Sequence, residues 1–309
     1  MTGSPLIIIL GPTAVGKTAT AIELAQRLQT DILSADSRQI YRYMNIGTAK
    51  PTLEQQAAIP HHLIDLVDPD DTLSLAQYLR AAREAIQQQH EAGRVALLVG
   101  GTGQYITALE AGWSVPEVPP NEALRAELEA FARDAGVHAL HARLAALDPA
   151  YAARTHPNNV RRVVRALEVC LTTGSTMTLL QQQQPVPYRI LRIGLTLPRD
   201  ALYARADQRV LQMIEVGLVD EVQGLLARGY DPSLPSLSSI GYQEIIAHLN
   251  GQLTLDEAIA RIQFSTHDFI RRQEVWFRGH DYGILWHNML ETSNQTIIAT
   301  VTQWLWSSS

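Results

Sequence analysis

Alternating apolar and polar segments predict strands and helices in turn over the first third of the chain. Residues 6–10 and 94–99 are apolar runs typical of buried strands, and residues 31–34 predict a further short strand between them. Residues 17–28 and 75–90 have helical periodicity. This order predicts an α/β fold in which helices flank a parallel sheet.

The pattern changes in the middle of the chain, where only helical segments follow one another. A proline-rich stretch at residues 115–120 precedes helical patterns, and a glutamine run at 181–184 with two prolines follows them. The helical patterns cover residues 122–135, 137–147 and 159–171. We therefore predict an all-helical insertion domain at residues 116–188, within an α/β core formed by residues 1–115 and 189–309.

The rest of the core is predicted to be mainly helical. Strand character returns at residues 189–197, and residues 283–286 predict an edge strand. The helical patterns after that point cover residues 200–216, 219–228, 242–249, 255–277 and 294–306.

The first predicted strand runs directly into a phosphate-binding loop. Residues 11–18 fit the pattern G-x-x-x-x-G-K-[ST], between a strand and a helix as the motif requires. The glycines let backbone N–H groups face one point at the positive end of the helix, and Lys17 adds a charge there. The Thr18 hydroxyl is placed to bind Mg²⁺. The predicted fold is thus P-loop NTPase-like, with a phosphate chain bound by Gly11, Pro12, Thr13, Ala14, Val15, Gly16, Lys17 and Thr18.

Composition and charge narrow the class of protein. Hydrophobic residues make up 46% of the 309 residues, enough for a large core, and no apolar stretch reaches the length of a membrane helix. Because the first residues do not resemble a leader segment, we expect a cytoplasmic protein that does not associate with a membrane. The net charge of −6 argues against a nucleic-acid partner. Residues 121–192 nevertheless contain nine arginines against six acidic residues, so this region has a local excess of positive charge. The single cysteine, Cys170, excludes an intrachain disulfide and is expected to be buried.

Three features should lie beside the phosphate loop, because ligands of parallel sheets collect at the carboxyl ends of strands. Two are strand exits, and the third is the pair of arginine clusters at residues 161–165 and 271–272. Asp36 leaves the second predicted strand, where it could touch a substrate or Mg²⁺, or could instead form an Asx-turn. The third predicted strand ends in Gly100 and Gly101, where a working phosphate-loop ATPase usually has an aspartate for Mg²⁺. That turn, with Thr102, indicates a close backbone approach to a ligand or only a tight turn. The missing aspartate argues against a motor or switch NTPase.

Arginines and histidines give weaker signals. Arg161 and Arg165 share a helix face suited to phosphate contacts, or to pairing with Glu168. His61 and His62 lack the spacing of a zinc site and are predicted to be part of a loop.

With these segments identified, the chain resembles the tRNA dimethylallyltransferase family, also called isopentenyl-diphosphate:tRNA transferases. The matching segments are GPTAVGKT (11–18), SADSRQIYRYMNIGTAKP (34–51), HHLIDLVDP (61–69), LVGGTGQYITAL (98–109), RRVVRALEV (161–169), GLVDEV (217–222), SIGYQE (239–244) and RRQEVWFR (271–278). They run through nearly the whole chain in family order. Val15 stands where the family often has Ser, and Gln104 where Leu or Met is common; neither change removes a reactive group.

The resemblance implies transfer of a dimethylallyl group from dimethylallyl diphosphate to N6 of adenosine 37, in tRNAs that read codons beginning with U. The loop would hold the diphosphate leaving group, with Mg²⁺ on Thr18 and Lys17 stabilising its charge. Asp36 would act as the general base, and Thr102 would hydrogen-bond near the breaking bond. Residues implied to contact tRNA are Asp36, Ser37, Arg38, Gln39, Thr102, Arg125, Arg161, Arg162, Val163, Val164, Arg165, Gly241 and Tyr242. We expect a monomer whose helical insertion contacts the anticodon stem-loop.

Three other functions are compatible with parts of the sequence. A small-molecule kinase would use the phosphate loop for ATP and would need no RNA. An adenylate isopentenyltransferase would keep the chemistry but modify a free nucleotide, which gives the helical insertion no purpose. A non-catalytic nucleotide- or RNA-binding module would not need Lys17, Thr18, Asp36 and Thr102 together.

Overall fold

Six parallel strands form one sheet in the computed structural model, which describes residues 3–115, 118–181, 184–280 and 283–307. The strands are β1 Ser4–Leu10, β2 Ile32–Ala35, β3 His61–His62, β4 Ala96–Gly100, β5 Tyr188–Thr196 and β6 Leu285–Asn288. Their order across the sheet is β3-β2-β4-β1-β5-β6, and every neighbouring pair is parallel. The predicted α/β fold with a parallel sheet is confirmed.

The described part of the chain contains fourteen helices. They are α1 Lys17–Leu28, α2 Leu53–Ala58, α3 Leu75–Glu91, α4 Gly103–Glu110, α5 Glu122–Ala135, α6 Val137–Leu147, α7 Pro149–Ala153, α8 Val160–Thr173, α9 Met177–Leu180, α10 Arg199–Glu215, α11 Leu218–Ala227, α12 Tyr242–Leu249, α13 Leu255–Gly279 and α14 Asn294–Trp306. None of the helices within these described ranges combines the length and apolar composition needed to span a bilayer.

The central strands are apolar throughout because helices cover both faces of the sheet. Ile7, Ile8 and Ile9 of β1 point alternately to the two faces, and each has no exposed surface. Leu97 of β4 and Ile193 of β5 are likewise fully buried. A continuous apolar run, rather than an alternating one, is what a doubly covered parallel strand needs.

The chain divides into two compact units. The first contains the sheet and comprises the described residues of 1–73, 78–109 and 187–309. The second comprises the described residues of 74–77 and 110–186 and contains α5 to α9 around a core that includes Leu140, Leu144 and Val163. The inserted all-helical subdomain of the predicted fold is therefore confirmed. Pro116 and Glu117 of the proposed first linker and residues 182–183 of the glutamine run lie outside the described residues.

One prediction about the sheet was wrong. The two histidines that were predicted to lie in a loop form β3. His61 and His62 pair there with Ile32 and Leu33 of β2. A strand of two polar residues has no apolar pattern of its own, so only its partner strand defines it. Cys170 is buried, as expected.

Candidate active site

The register of the sheet brings the predicted site segments to one edge. Leu10, the last residue of β1, lies opposite Gly100 of β4, and Gly100 also lies opposite Ala35 of β2. The phosphate loop (residues 11–18), Asp36 and the glycine turn after β4 therefore start side by side. This is the carboxyl edge, where parallel sheets bind ligands.

The phosphate loop curves around the amino group of Lys17. Gly16, just before α1, has φ of 114°, which a residue with a side chain adopts only with strain, and Ala14 has φ of 64°. Lys17 Nζ donates to the backbone carbonyls of Gly11 and Pro12 at 3.0 and 2.8 Å. The ammonium group thus lies inside the loop, where a phosphate oxygen would replace these carbonyls.

Burial tunes the charge of Lys17. Desolvation lowers the pKa of its ammonium group from 10.5 to about 8, against the opposing effect of the Asp36 carboxylate, and Arg209 lowers it further. A bound anion would favour the protonated form. The charge state of Lys17 is therefore coupled to ligand binding.

Asp36 and Thr102 each hold a loop in place. Asp36 Oδ1 accepts a hydrogen bond of 2.9 Å from the backbone N–H of Arg38, which is the Asx-turn considered above. Oδ2 has no hydrogen-bond partner among the described residues, so it is available to a ligand. Thr102 Oγ1 accepts from the Ser37 N–H at 2.9 Å and donates to Ser37 Oγ at 3.3 Å. Thr102 thus orients the segment that carries Asp36.

A buried glutamine that was not predicted joins the two glycine-containing loops. Gln273 of α13 accepts from the Thr13 N–H and donates to the Gly101 carbonyl, both at 2.9 Å. A Cβ atom on Gly101 would lie 2.4 Å from Gln273 Nε2, so a side chain there would displace the Gln273 amide from its hydrogen bonds. The close approach at this turn is therefore to a protein side chain. A sequence signal existed, because Gln273 interrupts the apolar stripe of α13 between Ile270 and Phe277.

Lys17 and Asp36 face the same cavity, which has a volume of about 460 Å³. One part of its wall is polar, and another consists of the side chains of Val210, Met213 and Ile262. Its volume falls in the range of small-molecule sites, roughly 300–1,000 Å³. The cavity therefore offers an anion site, a carboxylate and an apolar wall together.

Arginines from outside the motif add positive charge here. Arg209 and Arg272 line the cavity, and a Cβ atom on Gly16 would lie 3.7 Å from a guanidinium nitrogen of Arg205. Burial lowers the pKa of Arg209, although the carboxylate of Asp36 opposes this shift. Arg205 and Arg209 are four residues apart on α10 and share a face, a spacing that could have identified them in the sequence.

Several residues predicted to contact tRNA lie at this edge, mostly in supporting positions. The Gln39 amide donates to the Ala49 carbonyl at 3.2 Å. Tyr242 is fully buried, and its hydroxyl donates to Glu221 at 2.6 Å. Gly241 lines the cavity with φ of 96°, which leaves its backbone beside any ligand. Arg38 is exposed and lines the same cavity.

Comparison with known proteins identifies the family. The sequence profile described as IPP transferase matches residues 39–280, and that described as Isopentenyl transferase matches residues 4–68. The tRNA dimethylallyltransferase of Roseiflexus sp. (strain RS-1) is 55% identical over 274 residues, which are 89% of this chain and 90% of that protein. The chain belongs to the tRNA dimethylallyltransferase family. Its members are prenyltransferase enzymes, so the predicted family and enzyme class are confirmed.

Solved structures of tRNA prenyltransferases have the same fold. The full-length tRNA isopentenylpyrophosphate transferase of Bacillus halodurans is 42% identical, with a TM-score of 0.71 over 98% of this chain and 96% of that one. A eukaryotic dimethylallyltransferase acting on tRNA is 24% identical and has a TM-score of 0.82, covering 98% of this chain and 80% of that one. This second likeness concerns the fold alone.

In this member of the family, the arginines of the helical unit have two kinds of environment. Arg125 donates to the fully buried carboxylate of Glu168 at 2.9 and 3.1 Å, and Arg165 donates to the same carboxylate. Arg161 and Arg162 are exposed; Arg162 Nε donates to the Tyr151 hydroxyl at 3.2 Å. Pairing with Glu168, considered above for Arg165, is thus present.

The valines between these arginines face inward. Val163 and Val164 are 0% and 3% exposed, because α8 packs them into the core of the helical unit. Their side chains are therefore not accessible to RNA, which does not support the predicted tRNA contact of these two valines.

The two departures from the family's usual residues have structural explanations. Val15 is fully buried and packs in the main core, where an apolar residue fits. Gln104 is exposed at the start of α4, where an amide is well solvated.

The polar groups at the phosphate loop fit a magnesium ion that is held mainly by the phosphate oxygens of a bound substrate. The Thr18 hydroxyl is half-buried at the start of α1 and has no hydrogen-bond partner within the described ranges. No cluster of three or more His, Cys, Asp or Glu side chains suited to a metal occurs in the described part of the chain. Mg²⁺ often keeps few protein ligands and is bound through substrate phosphates. One hydroxyl beside a phosphate loop meets that requirement.

Proposed function

We propose that the protein transfers a dimethylallyl group from dimethylallyl diphosphate to N6 of adenosine 37 in tRNAs that read codons beginning with U. The product is N6-(dimethylallyl)adenosine in tRNA. The observation that carries this proposal is that the Lys17 loop and the Asp36 carboxylate face one cavity in a member of the tRNA dimethylallyltransferase family.

The phosphate loop binds the diphosphate leaving group. Its residues 11–18 wrap around the anion at the positive end of α1, and Lys17 lies within reach of a phosphate oxygen. Arg209 lines the same cavity and adds a second cation. As the allylic C1–O bond breaks, these groups stabilise the charge that develops on diphosphate.

Magnesium is expected to accompany the diphosphate. The Thr18 hydroxyl would hold it together with the diphosphate oxygens. When bound, the ion supplies Lewis-acid stabilisation of the leaving group.

Asp36 acts as the base for the N6 amine of the adenine. As the N6 lone pair forms a bond to C1 and diphosphate departs, the amine must lose a proton, and Oδ2 of Asp36 accepts it. Oδ1 stays bound to the Arg38 N–H, so the turn fixes the direction of the free oxygen. Thr102 supports this arrangement through Ser37 and is proposed to act near the breaking bond.

The target base must leave the stack of the anticodon loop to reach this cavity. Arg38, which is exposed at the cavity wall, is available to contact it. Arg161 and Arg162 of the helical unit supply exposed positive charge for the RNA backbone. We also infer that the enzyme acts as a monomer, because one chain carries both the chemical groups and the arginines. A cytoplasmic location is proposed with it, because the substrate of the reaction is tRNA.

The test supplies unmodified tRNA with adenosine 36 and 37, Mg²⁺ and either labelled dimethylallyl diphosphate or labelled ATP, with AMP replacing tRNA in a parallel pair. Label passing from the allylic diphosphate to tRNA supports the proposal. Label on AMP alone would indicate an adenylate isopentenyltransferase. ATP turnover without prenyl transfer would indicate a kinase and would contradict the proposal.

A further inference from the structure

A second concave surface of the sheet-containing unit lies along α12 and α13. It has a volume of about 580 Å³ and is called the α12–α13 groove below. Its lining residues are Gln243, Glu244, Ala247, Leu253, Ala260, Arg261, Phe264 and Ser265. None of the proposed catalytic groups belongs to it.

The most unusual residue of the groove is an exposed aromatic ring. Phe264 is 65% exposed, although a phenylalanine on a helix normally packs inward. Arg261 lies three residues earlier, on the same face of α13, and is also exposed. Its charge is attracted by Glu257, one turn before it, but no hydrogen bond holds Arg261 within the described ranges. The groove therefore presents a ring and a cation together.

The α12–α13 groove adjoins the active-site cavity. Gln243 and Ser265 line both. Between them, the Glu244 carboxylate is buried, accepting from the Gly241 N–H at 2.8 Å, from the Gln243 amide at 3.1 Å and from the Ser265 hydroxyl at 3.3 Å. These bonds fix the wall between the two spaces and satisfy the carboxylate oxygens.

We propose that the α12–α13 groove binds an unpaired nucleotide next to the modified adenosine, with its base stacked on Phe264 and its phosphate near Arg261. This inference rests on the proposed function and names a recognition site for the RNA. Flipping the target base takes a stacking partner away from the adjacent nucleotide, and an aromatic ring can replace that lost stacking. The groove volume suits a ligand of nucleotide size.

The test measures binding of an anticodon stem-loop RNA by Phe264 variants. Phe264→Ala should weaken binding roughly 5- to 150-fold, the range for loss of one base–aromatic stack. Phe264→Trp should restore it, whereas Phe264→Leu should not. Trp306→Ala removes an aromatic residue that is 75% exposed and lines neither space, and it should bind RNA like the wild type. Equal affinity in Phe264→Ala, or full affinity in Phe264→Leu, would contradict stacking.

Two further readouts identify the nucleotide and the cation. Stem-loops carrying 5-iodouridine at single loop positions should crosslink to Phe264 at one position only. Arg261→Gln should lower the dependence of log Kd on log salt by about one unit. Failure of wild-type protein to prenylate tRNA would overturn the proposed function. Normal prenylation with unchanged Phe264→Ala kinetics would overturn only this inference.

Discussion

The side-chain oxygen of Gln273 accepts a hydrogen bond of 2.9 Å from the backbone N–H of Thr13. The same amide group donates to the Gly101 carbonyl at 2.9 Å, and its residue is only 6% exposed. A helix near the end of the chain therefore fixes the spacing of the phosphate loop and the glycine turn. The Thr13 N–H is committed to this bond and is not one of the groups that face the anion.

Replacing Gln273 by leucine should damage diphosphate binding and stability together. The variant leaves a buried donor and a buried acceptor unpaired, at a cost of about 1–3 kcal/mol each where water cannot reach. We expect the KM for dimethylallyl diphosphate to rise roughly tenfold or more, and the melting temperature to fall by several degrees. Steady-state kinetics and calorimetry measure the two effects.

Gln263→Leu is the matched control for this change. Gln263 lies on the same helix and is half-exposed, and its side chain has no hydrogen bond to a described residue. It should leave both quantities unchanged. If Gln273→Leu behaves like this control, the amide does not set the shape of the loop.

Diphosphate binding should weaken as the pH rises above 8. The pKa of Lys17 is about 8 in the unliganded protein, so the ammonium form that an anion needs is lost above that value. After correction for the ionisation of the ligand itself, affinity for inorganic pyrophosphate should change little below pH 7 and fall by roughly tenfold between pH 8.5 and 9.5. Isothermal titration calorimetry across this range is the measurement.

The same shift acts on stability with the opposite sign. The pKa of Lys17 is lower in the folded protein than its ordinary value of 10.5, so the unfolded chain binds more protons between pH 8 and 10.5. This residue alone should therefore make the unliganded fold more stable as the pH rises through that window.

Lys17→Arg, whose guanidinium stays charged, should bind pyrophosphate with little pH dependence up to 9.5. If the pyrophosphate affinity of Lys17→Arg depends on pH as that of the wild type does, the titrating group is not Lys17.

Asp36→Asn tests the proton acceptor while keeping the turn. An asparagine oxygen can still accept from the Arg38 N–H, so the loop geometry should persist. We expect kcat to fall roughly 10²- to 10⁴-fold, as for loss of a general base, while RNA affinity changes less than threefold. Asp231→Asn is the matched control, because Asp231 accepts from the Ser233 N–H at 2.8 Å in an exposed loop. Unchanged kcat in Asp36→Asn would remove Asp36 from the base role.

The sequence is sufficient to predict features that depend on neighbouring residues. Helix α1 was predicted with its observed bounds, since an apolar run, spaced glycines and an amphipathic pattern all occur within residues 6–28. Helix α4 was missed because all five residues from Tyr105 to Leu109 are buried, which leaves no amphipathic period. Strand β3 was missed because only pairing with β2 defines it.

The predicted site shows the same limit. Lys17 and Asp36 follow strands and could be placed at one edge of the sheet from topology alone. Gln273 and Arg209 come from helices distant in sequence, and nothing in their immediate surroundings identifies the loops that they contact. In the sequence, Arg161 and Arg165 look equivalent because they share a helix face. Only the contact of Arg165 with the buried Glu168 shows that their environments differ.

That difference separates RNA contact from structure within α8. Arg165 donates to the buried Glu168 and to the Val118 carbonyl, whereas Arg161 is exposed and has no hydrogen bond within the described part of the chain. Burial alone would raise the pKa of Glu168, but hydrogen bonds from Arg125, the Asn121 N–H and Arg165 hold it below its ordinary value. The carboxylate therefore stays charged, and removing one arginine leaves it partly unpaired.

Arg161→Gln should consequently weaken binding of the anticodon stem-loop and lower the slope of log Kd against log salt by about one, with no loss of stability. Arg165→Gln should expose α8 and α5 to faster amide hydrogen exchange, because a buried carboxylate loses a partner. Its RNA salt slope should change little. Fluorescence titrations at several salt concentrations and hydrogen-exchange mass spectrometry measure these effects. A lowered slope in Arg165→Gln with unchanged exchange would mean that Arg165 leaves Glu168 to bind RNA.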